Sequence, residues 1–234
     1  NGTAVSSQVL HMLSNNTLDA AFNVSTDGVV YTISRQGNKL YIGGGFNQVN
    51  GELRSNVAAV DAGTGATLSW TADAPNSYVN KVQATASTVF IQGSFTYVGN
   101  QYLPANFAAL DAATGHVILN MPEGDGAIHT FELDNDKLYV GGAFNNLGTP
   151  VQGLTKFTTT STTSDAGFPR TDGYVFATLQ DGSGGYFIGG TFSNVGGAAH
   201  NCIAHIFSDG TVDPNFNASA NTSVWCLATD GTYL

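Results

Sequence analysis

Four copies of one short string recur at an almost fixed interval, and that interval constrains the fold more than any other feature. Tyr41 to Phe46 reads YIGGGF, Phe90 to Phe95 FIQGSF, Tyr139 to Phe144 YVGGAF and Phe187 to Phe192 FIGGTF. The closing phenylalanines, Phe46, Phe95, Phe144 and Phe192, are therefore 49, 49 and 48 residues apart. A period between 40 and 50 residues is the mark of propellers and repeat arrays, in which one supersecondary unit buries its apolar face only against its neighbours. Within each string the second glycine is constant (Gly44, Gly93, Gly142, Gly190), which points to a close approach of the adjoining blade or to a positive φ. The next residue varies, Gly45 becoming Ser94, Ala143 and Thr191.

The rest of a period is as regular as the string. Val29 to Ile33 leads through a polar turn at Gln36-Gly37-Asn38 into Leu40-Tyr41-Ile42 and the glycines. After the loop at Asn50-Gly51 come Asn56 to Val60, a turn from Asp61 to Gly65, and Thr67 to Trp70. These are four short β-type runs separated by Gly, Asn and Asp, with no 3.6-residue apolar period long enough for a helix. Asn106 to Asp111 followed by Thr114-Gly115 repeats Asn56 to Gly65, and Asn201 to Ile206 does so more loosely. In the third copy a Thr-rich stretch, Thr158 to Thr163, replaces the Asp-x-x-Thr-Gly turn and reads as an extended edge strand or a loop. The predicted fold is an all-β β-propeller of about five four-stranded blades. It occupies 1–234 as a single repeat domain or fragment, with glycine motifs at 43–46, 92–95, 141–144 and 189–192.

Both ends fit the register. Thr17 to Asn23 matches Thr211 to Asn217 at an offset of 194, close to four periods, and Thr232-Tyr233-Leu234 stops just short of the next glycine motif. The reading is a propeller incomplete at both ends, either closed by pairing of its terminal strands or cut from a longer propeller or array.

Taken together, the apolar-Tyr-apolar-Gly-Gly-x-Phe string, the Asn-apolar-Ala-x-apolar-Asp-x-x-Thr-Gly segment and the Val212 to Asn217 closing segment resemble the kelch-like "delta-60" β-propeller repeats of secreted and cell-surface proteins. The resemblance covers essentially the whole chain. It departs from the pattern at Gln92, which replaces the first glycine, in the missing Asp turn of the third copy, and in having the expected tryptophan only at Trp70. It implies four-stranded blades and an extracellular setting, and it carries no catalytic residues.

Composition narrows the function classes. Only 10% of residues are charged, and seven Lys and Arg stand against seventeen Asp and Glu, for a net charge of −10. No basic cluster exists to neutralise phosphates, so nucleic acid and anionic membrane surfaces are excluded as expected partners, and no apolar run is long enough for membrane insertion. The polar surface must come from Thr, Ser, Asn and Gly, which favours a secreted or cell-surface protein. Cys202 and Cys226 either pair or are buried thiols; buried thiols are favoured because Gln8 and Thr32 hold the equivalent positions. Asn-x-Ser/Thr triplets at Asn1, Asn15, Asn23, Asn217 and Asn221 are no more than composition supplies.

Chemistry is hard to find in the linear sequence. His11, His116, His129, His200 and His205 show no metal spacing, and Asp134-Asn135-Asp136 lacks the closing acid of a calcium loop and sits where other copies place a hairpin turn. No catalytic residue, metal or cofactor is expected. The position that does vary informatively is the second residue of the first strand of each period: Tyr31, Asn80, His129, Phe176 and Trp225. Variation at a fixed place on a constant frame is what a binding surface looks like, the bland reading being inter-blade packing. The function expected is a non-enzymatic structural, adhesive or binding module of an extracellular assembly. Its partners would be protein or carbohydrate at the cell surface, or further copies of itself. The alternative is a propeller-fold glycoside hydrolase or lyase with paired carboxylates in a central funnel.

Overall fold

Alternation of apolar and polar residues between Gly, Asn and Asp turns yields strands and nothing else among the described residues. The computed structural model describes residues 9–118, 124–159, 163–165, 167–231 and 234. The first repeat contributes β1 (Val29–Gln36), β2 (Lys39–Gly45), β3 (Gln48–Val49), β4 (Glu52–Leu53) and β5 (Val57–Asp61). The second contributes β6 (Val79–Ala84), β7 (Thr88–Gly93), β8 (Tyr97–Val98), β9 (Gln101–Tyr102) and β10 (Phe107–Asp111). In the third are β11 (Ile128–Asp134), β12 (Lys137–Gly142), β13 (Asn146–Leu147), β14 (Thr149–Pro150) and β15 (Leu154–Thr158). The fourth has β16 (Val175–Gln180), β17 (Tyr186–Gly190), β18 (Asn194–Val195), β19 (Ala198–Ala199) and β20 (Ile203–Ile206).

The chain divides into two units, Asn1–Leu119 and Asn120–Leu234. The first unit holds the antiparallel sheets β1-β2-β5 and β6-β7-β10; the second holds β11-β12-β15 and β16-β17-β20. In every sheet the glycine-motif strand is the middle one, which is why its residues are buried on both faces. A two-stranded hairpin follows each motif: β3-β4, β8-β9, β13-β14 and β18-β19.

The fold differs from the expected four-stranded blade at its last run. Thr67 to Trp70 and its equivalents make only single bridges, Val60↔Thr67, Leu110↔Val117 and Ile206↔Val212. Three sequence features cut this run short: it is brief, it follows the tight Asp turn, and it leaves the sheet to bury Trp70. That indole is 4% exposed, donates from Nε1 to the Asp111 carbonyl at 3.1 Å and meets the Tyr41 ring edge-on at 5.2 Å. In the second unit Phe168 takes this place, 5.6 Å from the Tyr139 ring.

Within each unit one core cluster lies between the two sheets. Phe95 packs with Tyr41, Val57, Ala59, Val79 and Val82, and Phe192 with Tyr139, Leu154, Val175 and Ile188. Burying one such phenylalanine contributes about 1.5–3 kcal/mol. Phe46 and Phe144 are equally buried, at 2% exposure. Close approach of the sheets is made possible by the first glycine of the motif. A Cβ on Gly43 would stand 2.6 Å from Val79 Cγ1, one on Gly141 2.6 Å from Val175 Cγ1, and one on Gly189 2.6 Å from Val224 Cγ1.

The constant second glycine has a different cause from the one expected. Gly44, Gly93, Gly142 and Gly190 do not have positive φ, and the obstacle is not an adjoining sheet. A Cβ there would lie 2.0, 1.9, 2.3 and 1.9 Å from the carbonyl oxygens of Val29, Tyr78, Ala127 and Tyr174, the residue that opens (Val29) or immediately precedes the first strand of the same sheet.

The Asp turns behave as their sequence implies. Asp61 Oδ1 accepts from the N–H groups of Gly63 and Thr64, and Asp111 Oδ1 from those of Ala113 and Thr114. Gly65 and Gly115 then take φ of 76° and 83°. In the third copy Thr158 ends β15, while residues 160–162 of the Thr-rich stretch lie outside the described residues. So do Asn1, Gln8 and Thr232-Tyr233. Cys202 and Cys226 are free thiols; Cys202 is half-buried and Cys226 is exposed rather than buried. Asp134 to Asp136 form the β11–β12 hairpin turn that their place in the repeat implies, with Asn135 at φ 53°.

Candidate functional site

Each first strand carries a β-bulge at one place, and the bulged residue is the one the repeat varies. The pairing register jumps between Val30 and Thr32, between Val79 and Lys81, between Ile128 and Thr130, and between Val175 and Ala177. The residues skipped are Tyr31, Asn80, His129 and Phe176. A bulged residue has no place in the ladder, so its side chain is re-aimed and its identity is uncoupled from sheet pairing.

Bulge and constant glycine are two halves of one device. The carbonyl of Tyr78 that Gly93 closely approaches also accepts from Ser94 N at 2.9 Å; Ala127 does the same for Ala143 N, and Tyr174 for Thr191 N, both at 2.9 Å. Only a residue without Cβ lets the middle strand pass this near to the bulged strand.

A clamp that sequence reading missed pins the far side of the motif. Asp27 Oδ1 accepts from Asn47 and Gln48 N–H at 2.7 and 2.9 Å, and Asn76 Oδ1 from Thr96 and Tyr97 N–H at 3.0 Å each. Asp125 does so for Asn145 and Asn146 at 2.9 and 3.0 Å, and Asp172 for Ser193 and Asn194 at 2.7 and 2.9 Å. The signal was present as an Asp or Asn at spacings of 49, 49 and 47 residues. Backbone N–H donors lower the carboxyl pKa of Asp27 (Asn47 foremost) and of Asp125 (Asn146 foremost). For Asp172, burial opposes the shift, and the Asn194 side chain with the backbone donors outweighs it.

The bulge residues gather into rows of rings. In the first unit Tyr31 meets Tyr78 edge-on, centroids 6.1 Å apart, and both are 52% exposed. Asn80 is exposed on the next first strand. In the second unit Phe176 is the centre of a cluster. His129 lies edge-on at 5.4 Å, Tyr174 edge-on at 6.4 Å, and Trp225 is stacked at 4.2 Å with planes 5° apart. Trp225 does not lie on a strand as expected, although Val224 beside it donates its N–H to Gly190 O at 3.1 Å. The indole is 68% exposed, more than Tyr174 at 53%. His129 is exposed overall, yet desolvation lowers its pKa and so favours the neutral ring.

The other histidines serve the frame. His205 bridges two carboxylates, Nδ1 to Asp213 Oδ2 and Nε2 to Asp181 Oδ2, both 3.0 Å, while its ring stacks on Phe187 at 4.5 Å. Burial opposes the shift at Asp181, but the Ser183 hydroxyl, His205 and the N–H groups of Ser183 and Gly185 together bring it to about 2. His11 repeats half of this arrangement with Asp19 at 2.9 Å. His116 contacts Asp73 at 3.2 Å, and His200 is buried at 8% exposure with its N–H on Ser193 O. No group of three or more His, Cys, Asp or Glu among the described residues has the geometry to hold a metal ion.

Comparison with known proteins agrees with the architecture and adds no activity. Residues 183–216 match the family model described as a domain of unknown function (DUF5122) beta-propeller. No curated protein matches the chain. Among solved structures, the computationally designed Ika8 protein is similar at 11% identity and a TM-score of 0.56, over 92% of this chain and 69% of that one. The designed Ika4 protein is similar at 14% identity and a TM-score of 0.46, over 80% and 90%. An extracellular domain from B. thetaiotaomicron is similar at 13% identity and a TM-score of 0.49, over 88% and 27%. The chain is all-β and β-propeller-like.

Proposed function

We propose that this chain is a non-enzymatic binding module of a secreted or cell-surface protein, and that its bulge-borne ring rows take carbohydrate. The observation that carries the reading is the Phe176–Trp225 pair, flat and parallel, with the indole 68% exposed beside Tyr174 and His129. Extended aromatic faces offer apolar contact to the C–H faces of a sugar ring. Seven Lys and Arg in 234 residues make an anionic ligand a poor match. The low charged fraction of 10% with abundant Thr, Ser and Asn supports the extracellular setting.

A glycan microarray probed with the full chain tests this. One glycan class should be retained above background, and Trp225→Ala or Phe176→Ala should weaken it by about tenfold or more, as for a central aromatic contact. An empty array, or binding unchanged by both substitutions, overturns the reading.

A further inference from the structure

One place in the repeat is filled in three copies and left open in the fourth. Arg54, Leu103, Val151 and His200 hold it, because each donates its N–H to the carbonyl of the residue after the motif phenylalanine. Those acceptors are Asn47, Thr96, Asn145 and Ser193, at 2.9, 2.7, 2.9 and 2.9 Å. Leu103 packs against the core of its unit, and Val151 is buried. Arg54 folds back on its own repeat, its guanidinium donating to the Glu52 carboxylate at 3.0 Å and to the carbonyls of Leu53 and Leu68 at 2.8 and 3.2 Å.

In the fourth repeat Ala198 and Ala199 stand for Glu52 and Leu53, and His200 for Arg54. The shorter side chains leave room, and a cavity of about 410 Å³ lies there. At 8% exposure His200 is more than nine-tenths buried, yet among the described residues its imidazole has no hydrogen-bond partner, and neither ring nitrogen is sealed from the cavity. A buried polar group left unpaired costs stability, and the other repeats show that leucine, valine or a self-bonded arginine would serve here. The first repeat, which another repeat follows, has Glu52, Leu53, Ser69, Thr71 and Ala74 at matching places, all of them exposed. A following repeat therefore does not cover this face.

We infer that the cavity is a binding site for one uncharged sugar residue, with His200 as its anchor. Among the described lining residues none is charged, so nothing there offers an ion pair to a charged ligand. Asn201, Asn217 and Ser219 join the imidazole as polar lining, and Phe216 with the two alanines supplies an apolar wall. Imidazole, amide and hydroxyl groups each combine donor with acceptor capacity, which matches sugar hydroxyls that do both. Asn217 commits its Nδ2 to the Asn215 carbonyl at 3.2 Å, which leaves its Oδ1 to accept from a ligand. The volume is near the lower end of the range of about 300–1,000 Å³ for small-molecule sites, enough for a single ring rather than a chain of them. No residue of the ring rows lines this cavity, so the inference goes beyond them and stands without them.

The test is a titration of the isotope-labelled full chain with glucose, galactose, mannose and N-acetylglucosamine, read from amide chemical shifts. At least one sugar should give saturable shifts at His200 and at Asn217 to Ser219, with a millimolar Kd. His200→Leu introduces the residue of the second repeat, so it should keep the wild-type circular dichroism while weakening that sugar roughly tenfold or more. Asn217→Ala alters an exposed residue and should weaken it several-fold without loss of fold. No saturation below about 50 mM with any of the sugars, or undiminished binding by both variants, overturns the assignment. So do shifts confined to Tyr174, Phe176 and Trp225, which would report the ring rows instead.

Discussion

Replacing Gly93 by alanine puts the bulge device to a direct test. The new Cβ would lie 1.9 Å from the Tyr78 carbonyl oxygen, 2.9 Å from its carbon and 3.0 Å from Val79 Cα, whereas real Cβ atoms essentially never come within 3.0 Å. The carbonyl must retreat by about 1 Å, and it is not free to do so. It accepts the Ser94 N–H at 2.9 Å, and the Val79 side chain next to it is seated against Gly43. Losing the hydrogen bond costs about 1 kcal/mol and the backbone overlap about 1–3 kcal/mol, while the lower entropy of the unfolded alanine chain returns about 0.4–1 kcal/mol. The net expectation is a loss of about 1–3.5 kcal/mol, a fall in Tm of roughly 2–14 °C for a chain of this size. Urea unfolding followed by Trp70 fluorescence would measure it, since that indole is buried in the same unit. Gly45→Ala is the control. Its Cβ meets only movable side chains, the Tyr78 ring at 2.9 Å and the Tyr31 ring at 3.8 Å, and alanine already stands at the matching Ala143, so its effect should stay within about 0.5 kcal/mol. If Gly93→Ala costs no more than Gly45→Ala, the account of the constant glycine is wrong.

Two further outcomes follow from the frame. Cys202 has φ of 63° at the place where Asn56, Asn106 and Gly153 have 63°, 60° and 70°. Cys202→Asn should raise the urea midpoint, by about 0.5–1 kcal/mol in stability, because asparagine tolerates this region better than cysteine; a lower midpoint would count against it. Acid should weaken the fold in a defined window. The carboxyls of Asp27, Asp125, Asp172 and Asp181 have pKa values below the ordinary 3.8 when folded, that of Asp181 at about 2. Their contribution is complete above the unfolded pKa and is lost as pH falls through the folded values. The urea midpoint should therefore hold from pH 7 to about 5 and drop between about 4 and 2; a midpoint as high at pH 2.5 as at pH 6 would contradict the clamp.

Much of the frame is written in the sequence because the repeat prints it four times. Period, strand type, middle-strand glycines and phenylalanine anchors all follow from comparing copies, without any knowledge of which strands pair. What could not be read is whatever depends on register. Gly44 looks like a turn or packing glycine until the Val29 carbonyl is placed against it. The Asp27 class of clamp joins residues about twenty apart and uses Asp in three repeats and Asn in one, so no local motif displays it. Thr67 to Trp70 looks like a strand because its residues are β-formers, yet burying the indole takes the segment out of the sheet. The ring rows fall between these cases. Variation singled out Tyr31, Asn80, His129, Phe176 and Trp225, but their stacking and the bulge that presents four of them are properties of three dimensions.

The bulge also bears on how such a chain can change. A residue that no ladder hydrogen bond fixes can be exchanged with little effect on the sheet behind it, while the constant glycine beside it can be exchanged only at a cost in stability. Duplicating a repeat therefore copies a fixed mount together with one replaceable fitting. A lineage can alter what it touches one repeat at a time, and each trial leaves the remaining mounts intact.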